Sequence, residues 1–127
     1  MNRVSCSVAA AILLFLTGLL PARASVEARV DISSQRMTVY VDGSPLYDWA
    51  VSTGRSGFAT PRGVYRAKWL ARMHYSRKYH YSPMPWSVFF YGGYAIPGTS
   101  ENGRLRRPAS PGCVPLHPGN AAPLFSL

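Results

Sequence analysis

One cysteine is the residue of this chain best suited to covalent chemistry. Cys113 ends the run Ser110-Pro111-Gly112-Cys113, downstream of an apolar, aromatic stretch from Val88 to Ile96, so a strand would deliver a loop that carries one thiol. A thiolate is an intrinsically strong nucleophile, and nearby positive charge or a helix N-terminus lowers its pKa. The same features also suit a buried structural cysteine, because free Cys is among the most buried residue types.

The residues around this thiol favour chemistry in three ways. Three arginines between positions 104 and 107 lie just upstream, and we expect their charge to lower the pKa of Cys113. The sequence from Asn120 can begin a helix, whose N-terminus would act in the same direction. Gly112 would let the backbone approach a substrate closely and turn N–H groups toward a developing oxyanion.

The segments on both sides of Cys113 follow a wider pattern. They are the run Tyr94-Ala95-Ile96-Pro97-Gly98-Thr99, a basic loop that ends at Ser110, and Gly112-Cys113-Val114 followed by Leu116-His117. This pattern resembles the signature of the L,D-transpeptidase catalytic domain, the YkuD-like family, which reads Ile-His-Gly-Thr, a spacer, and Ser-His-Gly-Cys-Ile/Val-Arg-Leu. A Thr-Pro-x-Gly-x-Tyr stretch upstream extends the resemblance over nearly all of the chain from Val30 onward.

Three prolines depart from the family pattern. Pro97 stands where the family has its first His, Pro111 where it has the second, and Pro115 where it has Arg. Proline has neither a titratable group nor an N–H, so Pro97 can neither accept the thiol proton nor donate one to a leaving amine. We therefore predict a degenerate site whose turnover is impaired.

The resemblance implies a mainly β fold, a small antiparallel β-sheet sandwich or barrel-like arrangement with a short helix after the Cys113 loop. It implies that the thiolate attacks a carbonyl of a peptidoglycan stem tetrapeptide, that D-alanine leaves, and that an amine resolves the thioester without a cofactor. Four residues near the thiol are expected to contact substrate: Tyr94, Gly98, Thr99 and Ser110. The alternative function is a non-catalytic envelope protein that binds peptidoglycan.

The three histidines of the chain, His74, His80 and His117, are candidate replacement bases. His117 follows Cys113 by four residues, but Pro115 between them argues against a helix that would bring both onto one face. His74 and His80 lie in a predicted insertion that could reach a cleft. These scattered residues show no metal-ligand spacing, so no metal site is predicted.

The first 24 residues have the three parts of a secretory signal peptide. Arg3 supplies a positive start, Ala9 to Leu20 an apolar core, and Ala22-Arg23-Ala24 a small-residue cleavage site. The apolar core is short for a membrane span. We therefore predict a protein exported to the periplasm or cell envelope, monomeric and without a membrane span. Residues 25–127 would form one L,D-transpeptidase-like domain with a single cysteine, lacking a last core strand at its C-terminus.

The charge balance indicates an anionic partner. The net charge is +9, and removal of the signal peptide leaves the chain strongly basic. Such a balance suits a polyanionic envelope surface, acidic lipid or nucleic acid, and export argues against nucleic acid. Peptidoglycan stem peptides are the partner that the resemblance implies, and simple solubility remains the alternative reason for the charge.

Apolar patterning and turn residues predict a meander of short strands. The predicted strands are Val26 to Val30, Met37 to Val41, Leu46 to Ser52, Tyr65 to Leu70, Trp86 to Phe90 and Tyr94 to Ile96. Asp42-Gly43 predicts a hairpin corner. Ala71 to Pro85 is predicted to be a polar, aromatic-rich insertion, either a lid over the cleft or an ordinary surface loop.

Overall fold

Two three-stranded antiparallel sheets form the framework of the protein, whose structure is a computed structural model that describes residues 25–127. The predicted signal peptide lies outside the described residues. The mainly β fold with a short helix after the cysteine loop is confirmed.

The first sheet is a meander of β1 (Val26–Asp31), β2 (Arg36–Val41) and β3 (Ser44–Ala50). β2 alternates between buried and accessible positions, as the apolar pattern predicted. The same prediction is wrong for β1, whose residues are almost all exposed because this strand lies at the edge of the sheet. Asp42 and Gly43 form the corner between β2 and β3 with φ of 51° and 82°, the two positive values that a tight hairpin turn requires.

The second sheet contains β4 (Trp69–Ser76), β5 (Ser82–Tyr91) and β6 (Tyr94–Ile96), with β5 in the centre. The prediction of an irregular insertion over Ala71 to Pro85 is wrong, because these residues form the β4–β5 hairpin. Pro83 and Pro85 are tolerated near its tip. Trp86 within β5 has a positive φ of 53°, a backbone irregularity that the sequence does not reveal. The predicted strand from Tyr65 also begins too early, since regular pairing starts at Trp69.

After β6 the chain crosses back toward the first sheet. A short 3-10 turn spans Asn102–Arg104, and the chain ends in the helix α1 (Pro118–Ser126), which starts two residues earlier than predicted. No helix within residues 25–127 has the length and apolar content to cross a membrane.

The main core lies between the first sheet, the segment after Cys113 and α1. Its buried members come from all three parts and are Met37, Val39, Trp49, Val51, Val114, Leu116, Ala121 and Leu124. Burial of this apolar surface is the main term that holds the Cys113 segment in place.

A buried polar contact joins the first sheet to the loop that borders the site. The Gln35 side chain donates to the Thr53 hydroxyl at 2.7 Å and to the carbonyl of Ile32 at 2.7 Å, and its oxygen accepts the Thr53 N–H at 2.8 Å. All polar atoms of the Gln35 amide that face the interior are thus used. Such a satisfied buried amide fixes the position of residues 51–54 relative to the sheet.

Candidate active site

The segment from Cys113 to His117 lies between two other stretches of backbone. On one side, Val114 N–H donates to the carbonyl of Ala95 at 2.9 Å, and Leu116 N–H donates to that of Pro97 at 2.8 Å. On the other side, Ser52 N–H approaches the carbonyl of Pro115 at 3.4 Å. The segment that carries Cys113 is therefore held by backbone hydrogen bonds to the end of β6 on one side and to the residues after β3 on the other.

The backbone hydrogen bonds just described form a ladder, and the thiol and Pro97 lie on the side of this ladder that faces away from the main core. Val114 and Leu116 are buried in the core, so the alternating direction of an extended chain directs Cys113 and Pro115 to the opposite side. The parallel bridge pairs Gly98 with Leu116, which directs Pro97 to the same side as Cys113. The register therefore places the predicted nucleophile and the predicted base position on one side of the backbone, two residues apart along it.

The Ser110 hydroxyl closes the turn that carries the thiol through two hydrogen bonds, which we call the Ser110 clasp. Ser110 Oγ donates to the carbonyl of Cys113 at 2.5 Å and accepts the Gly112 N–H at 3.0 Å. From outside, Thr60 Oγ1 donates to the carbonyl of Gly112 at 2.9 Å and accepts the Gly54 N–H at 2.8 Å. The turn is thus fixed by two hydroxyls before any substrate is present.

Gly112 is required at its position by geometry. Its φ is +126°, and a Cβ there would come within 2.5 Å of the Tyr94 ring. Its N–H already donates to Ser110, whereas the Cys113 N–H donates to no acceptor among residues 25–127. The Gly112 N–H, on which the sequence prediction depended, is therefore occupied, and the Cys113 N–H is the donor that remains free in this turn.

The thiol is less acidic than its neighbours in sequence suggested. Burial raises the pKa of Cys113, and a backbone hydrogen bond from Ala95 opposes this only in part. The expectation that the upstream arginines lower this pKa is wrong, because no charge of the described residues contributes. The Arg104 guanidinium instead pairs with Glu101 at 2.8 Å, so proximity along the chain did not become proximity in space.

None of the three histidines contributes to the pKa of Cys113. His74 packs edge-on against Phe89 with ring centroids 5.1 Å apart, and His80 lies exposed in the β4–β5 turn. His117 caps α1, where its Nδ1 accepts the Gly119 N–H at 2.9 Å. Since Nδ1 is occupied as an acceptor, only Nε2 of His117 remains for other contacts.

Three of the residues expected to bind substrate form hydrogen bonds within the protein. Gly98 is buried, and its N–H donates to the carbonyl of Pro85 at 2.7 Å. Thr99 Oγ1 accepts the Glu101 N–H at 3.0 Å, and Ser110 is buried in its clasp. The Tyr94 ring is half-buried beside Gly112, so it is the member of the predicted set with surface left for a ligand.

Thr60 was not among the predicted site residues. It contacts Gly112 across 52 positions of sequence. The only signal in the sequence was its place in the Thr-Pro-x-Gly stretch, and nothing local tied that stretch to the thiol. Within residues 25–127, no three His, Cys, Asp or Glu side chains gather as metal ligands.

The comparisons with known proteins agree with this geometry. The family model for the L,D-transpeptidase catalytic domain matches residues 25–127. No curated protein sequence matches the chain. The predicted resemblance to this family is confirmed.

Solved L,D-transpeptidases share the fold. One from Stackebrandtia nassauensis is 28% identical with a TM-score of 0.73, and covers 83% of this chain and 51% of its own. One from Mycobacterium smegmatis is 25% identical with a TM-score of 0.74, covering 82% and 54%. One from Mycobacterium tuberculosis is 20% identical with a TM-score of 0.76, covering 81% and 53%, and supports the fold alone. The chain thus spans about half the length of these solved proteins.

Proposed function

The chain belongs to the L,D-transpeptidase catalytic domain family, and from that membership we propose that it is an exported, peptidoglycan-directed acyl carrier with impaired turnover. The observation that carries the proposal is the Cys113 turn, clasped by Ser110 and set on the same side of the backbone ladder as Pro97.

The proposed acyl transfer has two steps at one sulfur atom. The Cys113 thiolate attacks the carbonyl carbon at the L-centre of a stem-peptide diamino acid, and the Cys113 N–H stabilises the oxyanion. The C–N bond to D-alanine then breaks, the amine leaves with a proton, and a thioester remains. An acceptor amine then attacks the thioester carbonyl, the new C–N amide bond forms, and the C–S bond breaks. The proton lost by the amine returns to the sulfur, which restores the thiol.

Two features of the site slow this reaction. The raised pKa keeps the thiol protonated at neutral pH, so little nucleophile is present. A positioned general base or acid contributes about 10²–10⁴-fold in rate, and Pro97 supplies neither function. Pro115 in addition lacks the charge with which an arginine would hold a substrate carboxylate.

The test is acylation of Cys113 in the purified protein, measured by intact mass after incubation with a carbapenem or with a stem tetrapeptide. We expect slow acylation of the parent protein, none in Cys113→Ala, and an acceleration of about 10²–10⁴-fold in Pro97→His. Fast acylation of the parent, or no gain in Pro97→His with the fold intact, would contradict the proposed cause of impairment.

A second candidate is a non-catalytic protein that binds peptidoglycan through the surface around Cys113. The protonated thiol and the inert ring of Pro97 favour it. Binding to purified sacculi distinguishes the two functions. The non-catalytic candidate predicts that Cys113→Ala binds as tightly as the parent and that Pro97→His forms no adduct with the stem tetrapeptide.

Export and oligomeric state belong to the same proposal. The N-terminal pattern supports cleavage after Ala24, and the periplasm or cell envelope is where stem peptides occur. N-terminal sequencing of protein from the envelope fraction should begin at Ser25, and light scattering should give the mass of a monomer. An uncleaved N-terminus in that fraction would contradict removal of the leader.

A further inference from the structure

The basic residues of this protein are concentrated in its middle. Between positions 49 and 100 the chain has no Asp or Glu at all. The basic residues in this stretch are Arg55, Arg62, Arg66, Lys68, Arg72, Arg77 and Lys78. This stretch contains the whole second sheet, so that sheet carries only positive charge.

The carboxylates of the chain are engaged elsewhere. Four of the five acidic residues precede position 49, and the fifth is Glu101. The three ion pairs among residues 25–127 join Glu27 to Arg29, Asp48 to Arg36, and Glu101 to Arg104. No ion pair within the described part of the chain therefore reaches the cations between positions 49 and 100. Their mutual repulsion favours binding to an anionic partner.

The β4–β5 hairpin combines these cations with exposed apolar side chains. We define the hairpin surface by the exposed residues of its outer face and turn, which are Trp69, Met73, Tyr75, Arg77, Lys78 and Tyr81. Arg72 is not among them, because its guanidinium lies over the ring of Trp86 on the inner face. The large side chains of the hairpin surface are strongly accessible, with exposed fractions of 46% for Trp69, 54% for Tyr75 and 66% for Tyr81. β4 lies at the edge of its sheet and pairs only with β5 among the described strands, so this surface is uncovered.

The aromatic part of this surface is rigid. The Trp69 ring stacks on Phe89 with ring centroids 3.8 Å apart and an interplanar angle of 3°. One face of the indole is thus supported by the sheet, and the rest remains exposed. A supported aromatic ring loses little conformational entropy when a partner covers it.

The composition of the hairpin surface decides which anionic partner fits. Lys and Arg beside Trp, Tyr and Met are typical of segments that bind at the interface of a bilayer, where charged headgroups lie next to an apolar interior. A soluble polyanion offers charge but no apolar layer for Met73 and the aromatic rings. We infer that the hairpin surface docks on the surface of an acidic phospholipid bilayer.

This docking is distinct from the reaction proposed for Cys113. It requires none of the thiol, Pro97 or the Ser110 clasp. It would hold the protein at a membrane surface by electrostatic attraction and shallow insertion of side chains, without a spanning segment.

The test uses the full chain with vesicles of phosphatidylglycerol and phosphatidylcholine, and with vesicles of phosphatidylcholine alone. The ratio of the two partition coefficients isolates the cationic contribution, because the apolar residues 9–20 would enter both kinds of vesicle alike. We expect preference for acidic vesicles, and a steep loss of that preference as salt rises from about 0.05 to 0.5 M.

Two double variants with equal loss of charge test the location. The variant Arg77→Gln, Lys78→Gln should lower the acidic-to-neutral ratio by about twenty-fivefold, at about fivefold for each cation. The matched control Arg106→Gln, Arg107→Gln should lower it by less than about fivefold. An equal effect of both variants would show that net charge alone matters and would overturn the inference.

Tryptophan fluorescence reports on contact directly, since the three tryptophans are Trp49, Trp69 and Trp86 and residues 1–24 contain none. Acidic vesicles should shift the emission to shorter wavelength in the parent, and Trp69→Phe should lose most of this shift. A shift that survives in Trp69→Phe overturns the inference. So does binding to soluble polyphosphate, with the same dependence on the hairpin cations, when acidic vesicles cause no shift.

Discussion

The two sheets of this protein have the same number of strands but different surroundings. The first sheet buries Met37 and Val39 completely against the Cys113 segment and α1. The second sheet leaves Trp69 and Met73 about half exposed, and its inner residues Val88 and Phe90 border an open cleft of about 1170 Å³. The sheets differ in charge as well, since the first contains most of the carboxylates and the second none.

This difference indicates that the first sheet contributes mainly to the stability of the fold and the second sheet mainly to contacts with partners. The first sheet holds the candidate active site, because Gln35, Val51 and Ser52 connect it to the residues around the thiol. The second sheet contributes Ala95 and Pro97 to the same ladder through β6 and its continuation, while its β4–β5 hairpin remains free. We therefore expect substitutions at the buried positions of the first sheet to destabilise the protein, and substitutions at the exposed positions of the hairpin to change its contacts with a partner.

Two methionines test this contrast with the same substitution. Met37→Ala removes a fully buried side chain and should lower the free energy of unfolding by about 2–5 kcal/mol. Met73→Ala, at a side chain that is 48% exposed, should change it by no more than about 0.5 kcal/mol. Urea unfolding of both variants measures the difference, and similar losses would show that the hairpin is as integral as the core.

Two glycines test how strictly the site turn is built. Gly112→Ala forces a Cβ against the Tyr94 ring at a φ of +126°, and we expect a loss of about 1–3 kcal/mol in unfolding free energy together with slower thiol acylation. Gly93→Ala is the matched control, since no atom lies within 4 Å of its added Cβ. If Gly112→Ala is as stable as Gly93→Ala, the turn is not fixed as described.

The buried amide between the first sheet and the site is tested by Gln35→Ala. This change leaves the Thr53 hydroxyl and N–H without their partner, and should cost about 1–3 kcal/mol. Thr53→Val and the double variant complete a thermodynamic cycle. A coupling energy near zero would mean that the two residues stabilise the fold independently, and that this contact does not join sheet and site.

The pH dependence of stability tests the burial of the thiol and is the smallest expected effect. The pKa of Cys113 is raised in the folded protein, so below the ordinary thiol pKa both states are protonated and stability is full. As pH rises past that value, the unfolded chain loses the proton first and stability falls. Between about pH 7 and pH 10, urea midpoints of the parent should fall more than those of Cys113→Ala. Identical slopes would mean that the thiol is not desolvated.

Local sequence patterns predicted the elements that local chemistry controls. Asp42-Gly43 predicted the hairpin corner because few residue pairs tolerate two positive φ values. The alternation around Met37 and Val39 predicted β2 because one face of that strand is buried. The hairpin from Ala71 to Pro85 was missed, since its exposed faces impose no alternation and its prolines are typical of loops.

The sequence by itself determined the family and the mainly β fold, and it has proline at the position where the family pattern has its first histidine. These follow from residue types at fixed spacing. Only the tertiary structure decided that burial outweighs the upstream arginines at the thiol, that Ser110 and Thr60 hold the turn, and that Gly112 lies against Tyr94. The physical reason is that desolvation and steric contact depend on residues distant in the chain, which spacing along a sequence does not record.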